Sequence, residues 1–175
     1  PGDAAAILNS WGAEEWPGLT EDEKRLMGPE EGTILWQIYA AMPAAARQIV
    51  GHWTRDMAQG MDQIENPDQP PVRIKRDGVQ MLASRPDYNQ YCYYVAGTVG
   101  HLATDLAVDF YGIPSTRAAQ LSLTCEACGR GLQKTNIVKD FAKDLGRGVS
   151  YLPDEWLRQA GYAPLQLAGA SPEWK

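Results

Sequence analysis

Residues 129–148 read GRGLQKTNIVKDFAKDLGRG, with glycines at both ends and Gln133, Asn136, Asp140 and Asp144 three and four apart between them. On an α-helix, residues four apart lie one above the other at a rise of about 6 Å, so these polar side chains form a row. Leu132, Ile137, Val138, Phe141 and Leu145 supply the apolar positions that hold such a helix in a bundle, so the row has a fixed direction. Two readings of it stand. Asp140 and Asp144 either pair with Lys139, Lys143 or Arg147 on a wet surface, or they face a divalent cation. Like charges at i and i+4 repel by roughly 0.2–0.5 kcal/mol, and a cation between them removes that repulsion. Magnesium prefers one or two carboxylates completed by waters and phosphate oxygens, so two aspartates one turn apart can hold it against a diphosphate.

Outward from this helix the chain reads as helix after helix. Ser115 to Leu145 is expected to be continuous. Apolar residues from Ile34 to Ile64 recur at three- and four-residue steps, which predicts one long helix over 30–65 that Pro43 kinks or divides. ENPDQPPVRIKRDG (65–78) is expected to be a loop, with a short strand possible at VRIK. A further helix runs from Asp87 as N-cap to about Gly112. Gly146 and Gly148 end the 115–145 helix, and PDEWLRQAG starts another with Pro153 in its first turn. TEDE at Thr20–Glu23 fits a capping box opening a short helix. No internal repeat or low-complexity tract stands out.

A chain of 175 residues with 44% hydrophobic and 22% charged residues fits one soluble globular domain. Its net charge of −6 argues against a nucleic-acid partner, because phosphate-backbone binding needs clustered Lys and Arg. No apolar stretch approaches the ~20 residues that span a bilayer, and PGDAAAILNSWGAEEW lacks the basic start and apolar run of a signal peptide. A soluble chain is expected. Cys92, Cys125 and Cys128 form an odd set with no second CxxC or His pair to complete a zinc site, which points to a reducing compartment. CEAC (125–128) lacks the strand–helix–strand setting of a redox motif.

LQKTNIVKDFAKD resembles the second aspartate-rich motif of the squalene and phytoene synthase family, and YCYYVAGTVG at Tyr91–Gly100 resembles its other signature. YLPDEWL is similar to the family as well, so the likeness covers residues 30 to 160. LQKTN is more like the squalene synthases within it. The resemblance implies an all-α fold, the isoprenoid synthase helical bundle, here one partial helical domain over 1–175 that is incomplete at both ends. It implies a Mg²⁺-dependent prenyltransferase that condenses two farnesyl diphosphates head to head to presqualene diphosphate, which NADPH then reduces to squalene for sterol or hopanoid biosynthesis. By that likeness Asp140 and Asp144 bind the metal, and Tyr91 acts in the first half-reaction. Val95, Ala96, Leu132, Gln133, Asn136 and Lys139 contact the substrate, with Gln133 and Asn136 near the diphosphate or nicotinamide. The expected location is the cytoplasm or the cytoplasmic face of a membrane, with any membrane association made through segments outside this chain.

Core packing accounts for Tyr91, Val95, Ala96, Gly97 and Gly100 equally well, since the glycines either permit close helix approach or leave room for a prenyl chain. Asp105 and Asp109 form a second i, i+4 pair. It lies about 20 Å along the helix from Tyr91 and matches nothing in the family pattern, so it is not assigned a metal. Three features depart from the family. No first aspartate-rich motif precedes Tyr91, the C-terminal helices are absent, and Val149 stands where an arginine is usual, with Arg147 two residues away. These departures suggest a central fragment that makes no product by itself. Phytoene synthase or another head-to-head prenyl synthase is the second reading, and a non-catalytic helical relative used in assembly is the third.

Overall fold

The computed structural model describes residues 20–26, 28–65 and 72–162. Contacts divide the chain into two compact units, with the boundary between Gln48 and Ile49. The acidic Glu14–Trp16 segment and the chain after Tyr162 lie outside the described residues.

In the first unit, α1 (Glu21–Leu26) opens on the expected capping box: the Thr20 backbone N–H donates to Glu23 Oε2 at 2.7 Å, and the Glu23 N–H donates to Thr20 Oγ1 at 3.3 Å. The long helix predicted over 30–65 is divided at Pro43, into α2 (Pro29–Ala41) and α3 (Ala44–Glu65), which from Ile49 onward belongs to the second unit. The physical reason is the proline ring. It disfavours helical backbone at the preceding residue, and Met42 is extended with φ −63° and ψ 150°. The carbonyls stranded at the end of α2 find a partner in Arg47, whose Nη1 donates to Ala40 O at 2.7 Å and to Met42 O at 2.9 Å.

In the second unit, β1 (Arg73–Arg76) and β2 (Val79–Leu82) form an antiparallel hairpin, in register Arg73 with Leu82 and Arg76 with Val79. Asp77 and Gly78, with φ of 51° and 84°, make its two-residue turn, as the right-handed twist of paired strands requires. The strand expected at VRIK is therefore β1, shifted by one residue. A third strand, β3 (Val149–Pro153), runs parallel to β2.

After the sheet's first two strands, α4 (Arg85–Cys92) starts one cap earlier than expected. Asp87 is not the N-cap: Ser84 is, and Asp87 at the third helical position completes a capping box, accepting from the Ser84 backbone N–H at 2.9 Å. A π-helical turn (Tyr93–Gly97) leads into α5 (Thr98–Tyr111), which Gly112 ends in the left-handed conformation. The uninterrupted α6 (Ser115–Gly146) bears out the 115–145 expectation. Finally α7 (Asp154–Gln159) starts after Pro153, which is its N-cap rather than part of its first turn.

The fold is thus all-α with a minor sheet. Its core has two parts: Ile64, Leu82, Tyr88, Tyr91, Cys92 and Ile137 in one, and Val79, Met81, Leu145 and Leu157 in the other. Besides these cores, α6 lies close against the π-turn and α5. Close approach occurs at two glycines, where a Cβ on Gly100 would run into the Cys125 carbonyl and a Cβ on Gly129 into the Ala96 carbonyl. Gly100→Ala and Gly129→Ala are therefore expected to destabilise by about 1–3 kcal/mol or more, since backbone atoms on both helices must shift. Gly131→Ala, where a Cβ meets nothing within 4 Å, should instead stabilise by up to about 1 kcal/mol. Thermal unfolding of the three variants checks the contrast.

Candidate functional site

The row read from the sequence lies along α6 as a mixed edge. Ile137 and Leu145 are buried and anchor the helix, Gln133, Asp140 and Asp144 are half-buried beside them, and Asn136 is exposed. Lys139 Nζ lies 3.5 Å from Asn136 Oδ1 and 3.7 Å from Asp140 Oδ2, so a loose surface pairing does form at one end. It is worth little, because the Asp140 side chain is 44% exposed. Asp144 makes no ion pair among the described residues, so its carboxylate is available to a ligand. No cluster of three or more His, Cys, Asp and Glu able to hold a metal occurs among the described residues. Any cation at this edge would rest on two protein carboxylates, completed by waters and substrate oxygens. That donor set suits magnesium, which keeps most of its water.

Tyr91 sits differently. It is 6% exposed and packs in the core with Ile137, the neighbour of Asn136. Its ring stacks on Tyr151 of β3, with centroids 4.8 Å apart and planes at 19°. The structure therefore brings Tyr91 to the level of the row on α6 but sets it in the core. Burial is the first cause that pushes its phenol well above the ordinary tyrosine range, the neighbouring Tyr151 adds to it, and Arg73 opposes it.

Val95 and Ala96 lie half-buried on the π-turn directly after Tyr91. Val95 packs on the core, and Ala96 presents its carbonyl to Gly129. Of the two roles open to Gly97 and Gly100, close helix approach is the one the packing shows. Leu132 is 64% exposed on α6, an apolar side chain left toward solvent beside the polar row.

Sequence periodicity did not reveal the π-turn. Its i to i+5 bond, Thr98 N to Tyr93 O, removes the usual donor from the Tyr94 carbonyl. The fully buried Thr98 supplies a replacement, its Oγ1 donating to Tyr94 O at 2.7 Å. Tyr93 is turned toward α3, where its hydroxyl donates to Asp56 Oδ2 at 3.0 Å. Burial and that carboxylate push its phenol up to about 12. Asp105 accepts from Trp53 Nε1 at 2.8 Å, which ties α5 to α3. All three cysteines are free, and Cys125 and Cys128 sit in the middle of α6.

Residues 10–175 match the family model described as squalene/phytoene synthase. The chain is 30% identical over 154 residues to the squalene synthase of Eremothecium gossypii, covering 87% of this chain and 32% of that protein. It is 38% identical over 106 residues to the chloroplastic phytoene synthase of Daucus carota, covering 55% of this chain and 26% of that one. The chain thus spans a third or less of these relatives. Among solved structures it resembles TcSQS in complex with the ligand BPH1237, with a TM-score of 0.65 and 25% identity, over 89% of this chain and 41% of that chain.

The π-turn yields a test of its own. Thr98→Val keeps the shape but strands the half-buried Tyr94 carbonyl beside a fully buried side chain, and should cost about 1–3 kcal/mol in denaturant unfolding. Thr98→Ser, which keeps the hydroxyl, should recover most of that loss.

Proposed function

Since this chain belongs to the squalene/phytoene synthase family over residues 10–175, we propose that it contributes the second aspartate edge and the tyrosine of a head-to-head prenyl diphosphate condensation. The observation that carries the reading is the Asp140–Asp144 pair: two half-buried carboxylates one turn apart, of which Asp144 has no ion-pair partner among the described residues. Such an edge repels the anionic substrate unless a cation mediates. Asp140 and Asp144 would hold Mg²⁺, which supplies charge neutralisation where a diphosphate leaves.

The protein's own groups do the rest. Asn136 and Gln133 offer carboxamides along the same edge, suited to a diphosphate oxygen or to the nicotinamide of NADPH. Lys139, beside Asn136 and Asp140, adds a positive charge for the diphosphate. Leu132, Val95 and Ala96 offer apolar surface to a prenyl chain. Tyr91, kept neutral by its burial, presents an electron-rich ring that stabilises an allylic cation.

Within the family we favour the squalene synthase reaction, with farnesyl diphosphate as substrate and NADPH as reductant, because of the LQKTN stretch at 132–136. Phytoene synthase is the second reading, favoured by the 38% identity to the carrot enzyme. Product analysis with and without NADPH separates them: a product that changes when NADPH is supplied supports the first, and one indifferent to it the second.

In the full natural protein, Asp140→Asn or Asp144→Asn should lower turnover by roughly 10² or more, the scale of losing a group that stabilises developing charge. Chelation of Mg²⁺ should abolish turnover and its return restore it. Asp105→Asn, which keeps an oxygen to accept from Trp53, and Asp109→Asn on the exposed face of α5 should stay within a few-fold of the wild type. Wild-type turnover in either aspartate-row variant would sink the metal assignment.

A further inference from the structure

Tyr91 is held by a short chain of side chains drawn from three separate elements. Its ring lies 4.8 Å from that of Tyr151 in a near-parallel stack, and the Tyr151 phenol is close enough to act on that of Tyr91. The other end of the chain is charged. Arg73 of β1 lies 5.2 Å over the Tyr151 ring and pairs with Glu65 at the end of α3 at 2.5 Å. Glu65 thus orients Arg73, Arg73 covers Tyr151, and Tyr151 meets Tyr91. A cation over an aromatic face is attracted to it, so the guanidinium favours the ring position that Tyr151 takes against Tyr91.

Packing alone does not account for Tyr151. A phenylalanine would stack equally well, and a hydroxyl carried into a core costs stability unless it is used. Tyr151 is partly buried, packed against the core beside Tyr91. We propose that Tyr151 is a positioning residue for Tyr91: stacked against it from β3, with Arg73 above, it sets the direction of the Tyr91 hydroxyl. The inference rests on the condensation reading in one respect only, that Tyr91 is the group that meets substrate. The Tyr91 phenol is held neutral first by burial and then by Tyr151.

The test uses Tyr151→Phe, Tyr91→Phe and the double variant in the full natural protein. Tyr151→Phe keeps the stack and should fold, yet lower kcat by roughly tenfold or more with KM within about twofold, because a misdirected group harms the reaction more than binding. In the Tyr91→Phe background the same change should cost less than about twofold, since a residue that acts through Tyr91 has nothing left to direct. A Tyr151→Phe enzyme with wild-type kcat, or losses that multiply in the double variant, would overturn the proposal.

A second readout needs no turnover. With ¹³Cζ-labelled tyrosine, the Tyr91 resonance should move in Tyr151→Phe, and an unmoved resonance overturns the positioning role. If the wild-type protein makes no product from prenyl diphosphates, the condensation reading falls, and the resonance still decides whether Tyr151 directs Tyr91.

Discussion

Where α6 meets the π-turn and α5, backbone touches backbone. The carbonyl of Cys125 occupies the space a side chain on Gly100 would need, and the carbonyl of Ala96 does the same at Gly129. Contacts of this kind allow little rotation, because either helix turning about its axis would bring a Cβ of a neighbouring residue into the gap. The face that α6 shows the core is thereby set: Gly129, Ile137 and Leu145 point inward. Once they do, helical geometry leaves no choice about Gln133, Asn136, Asp140 and Asp144, which fall on the adjoining edge. The orientation of the carboxylates is thus a consequence of packing two turns or more away from them.

The small sheet acts from the other end of α6. Gly148 N–H donates to the Leu145 carbonyl at 2.9 Å as the helix stops, and Gln80 N–H donates to the Gly148 carbonyl at 2.8 Å as β3 begins. Two residues after the helix the chain is already paired with β2, so the tail of α6, which carries Asp140 and Asp144, cannot fray independently of the hairpin. Val149, in the place where the family resemblance leads one to expect arginine, is half-buried and paired with Gln80 in this strand. A strand-forming side chain fits that position. The exposed Arg147 at the end of α6 is the nearest cation to it in sequence. Tyr151, two residues further on, packs against the core together with its neighbour Leu152.

The long helices were legible because their signals are local and repeated. Apolar periodicity marked α3 and α6, Pro43 marked the break, and Thr20–Glu23 marked a cap. The two motifs made the family legible as well. The sheet was less so: RDGV holds an Asp–Gly hairpin turn with alternating residues on either side, but three prolines just before it gave the whole stretch the look of a loop. The parallel partner β3 carried no such mark, since a strand of five residues that pairs with one far earlier in the chain has nothing local to announce it. The same holds for the π-turn, which an unbroken run of helix-compatible residues conceals, and for Tyr151. Nothing in YLP alone says that its ring will lie on a tyrosine sixty residues back.

The two halves of the candidate site sit in opposite electrostatic settings, and the difference follows from how each is built. Asp140 and Asp144 lie one turn apart on an edge where water can reach them, and an added cation gains by relieving the repulsion between their carboxylates. Tyr91 lies in a core where charge is penalised, so its phenol stays protonated and its useful property is the ring and the O–H dipole rather than a charge. The proposed condensation, which separates a diphosphate anion from a carbocation, would draw on both settings, a wet end for the leaving group and a dry end for the cation. Ile137 belongs to the core of Tyr91, while its neighbour Asn136 lies on the edge of the aspartates. A single helix that is buried on one stripe and solvated on the next provides both, and it does so only while the glycine contacts hold its rotation.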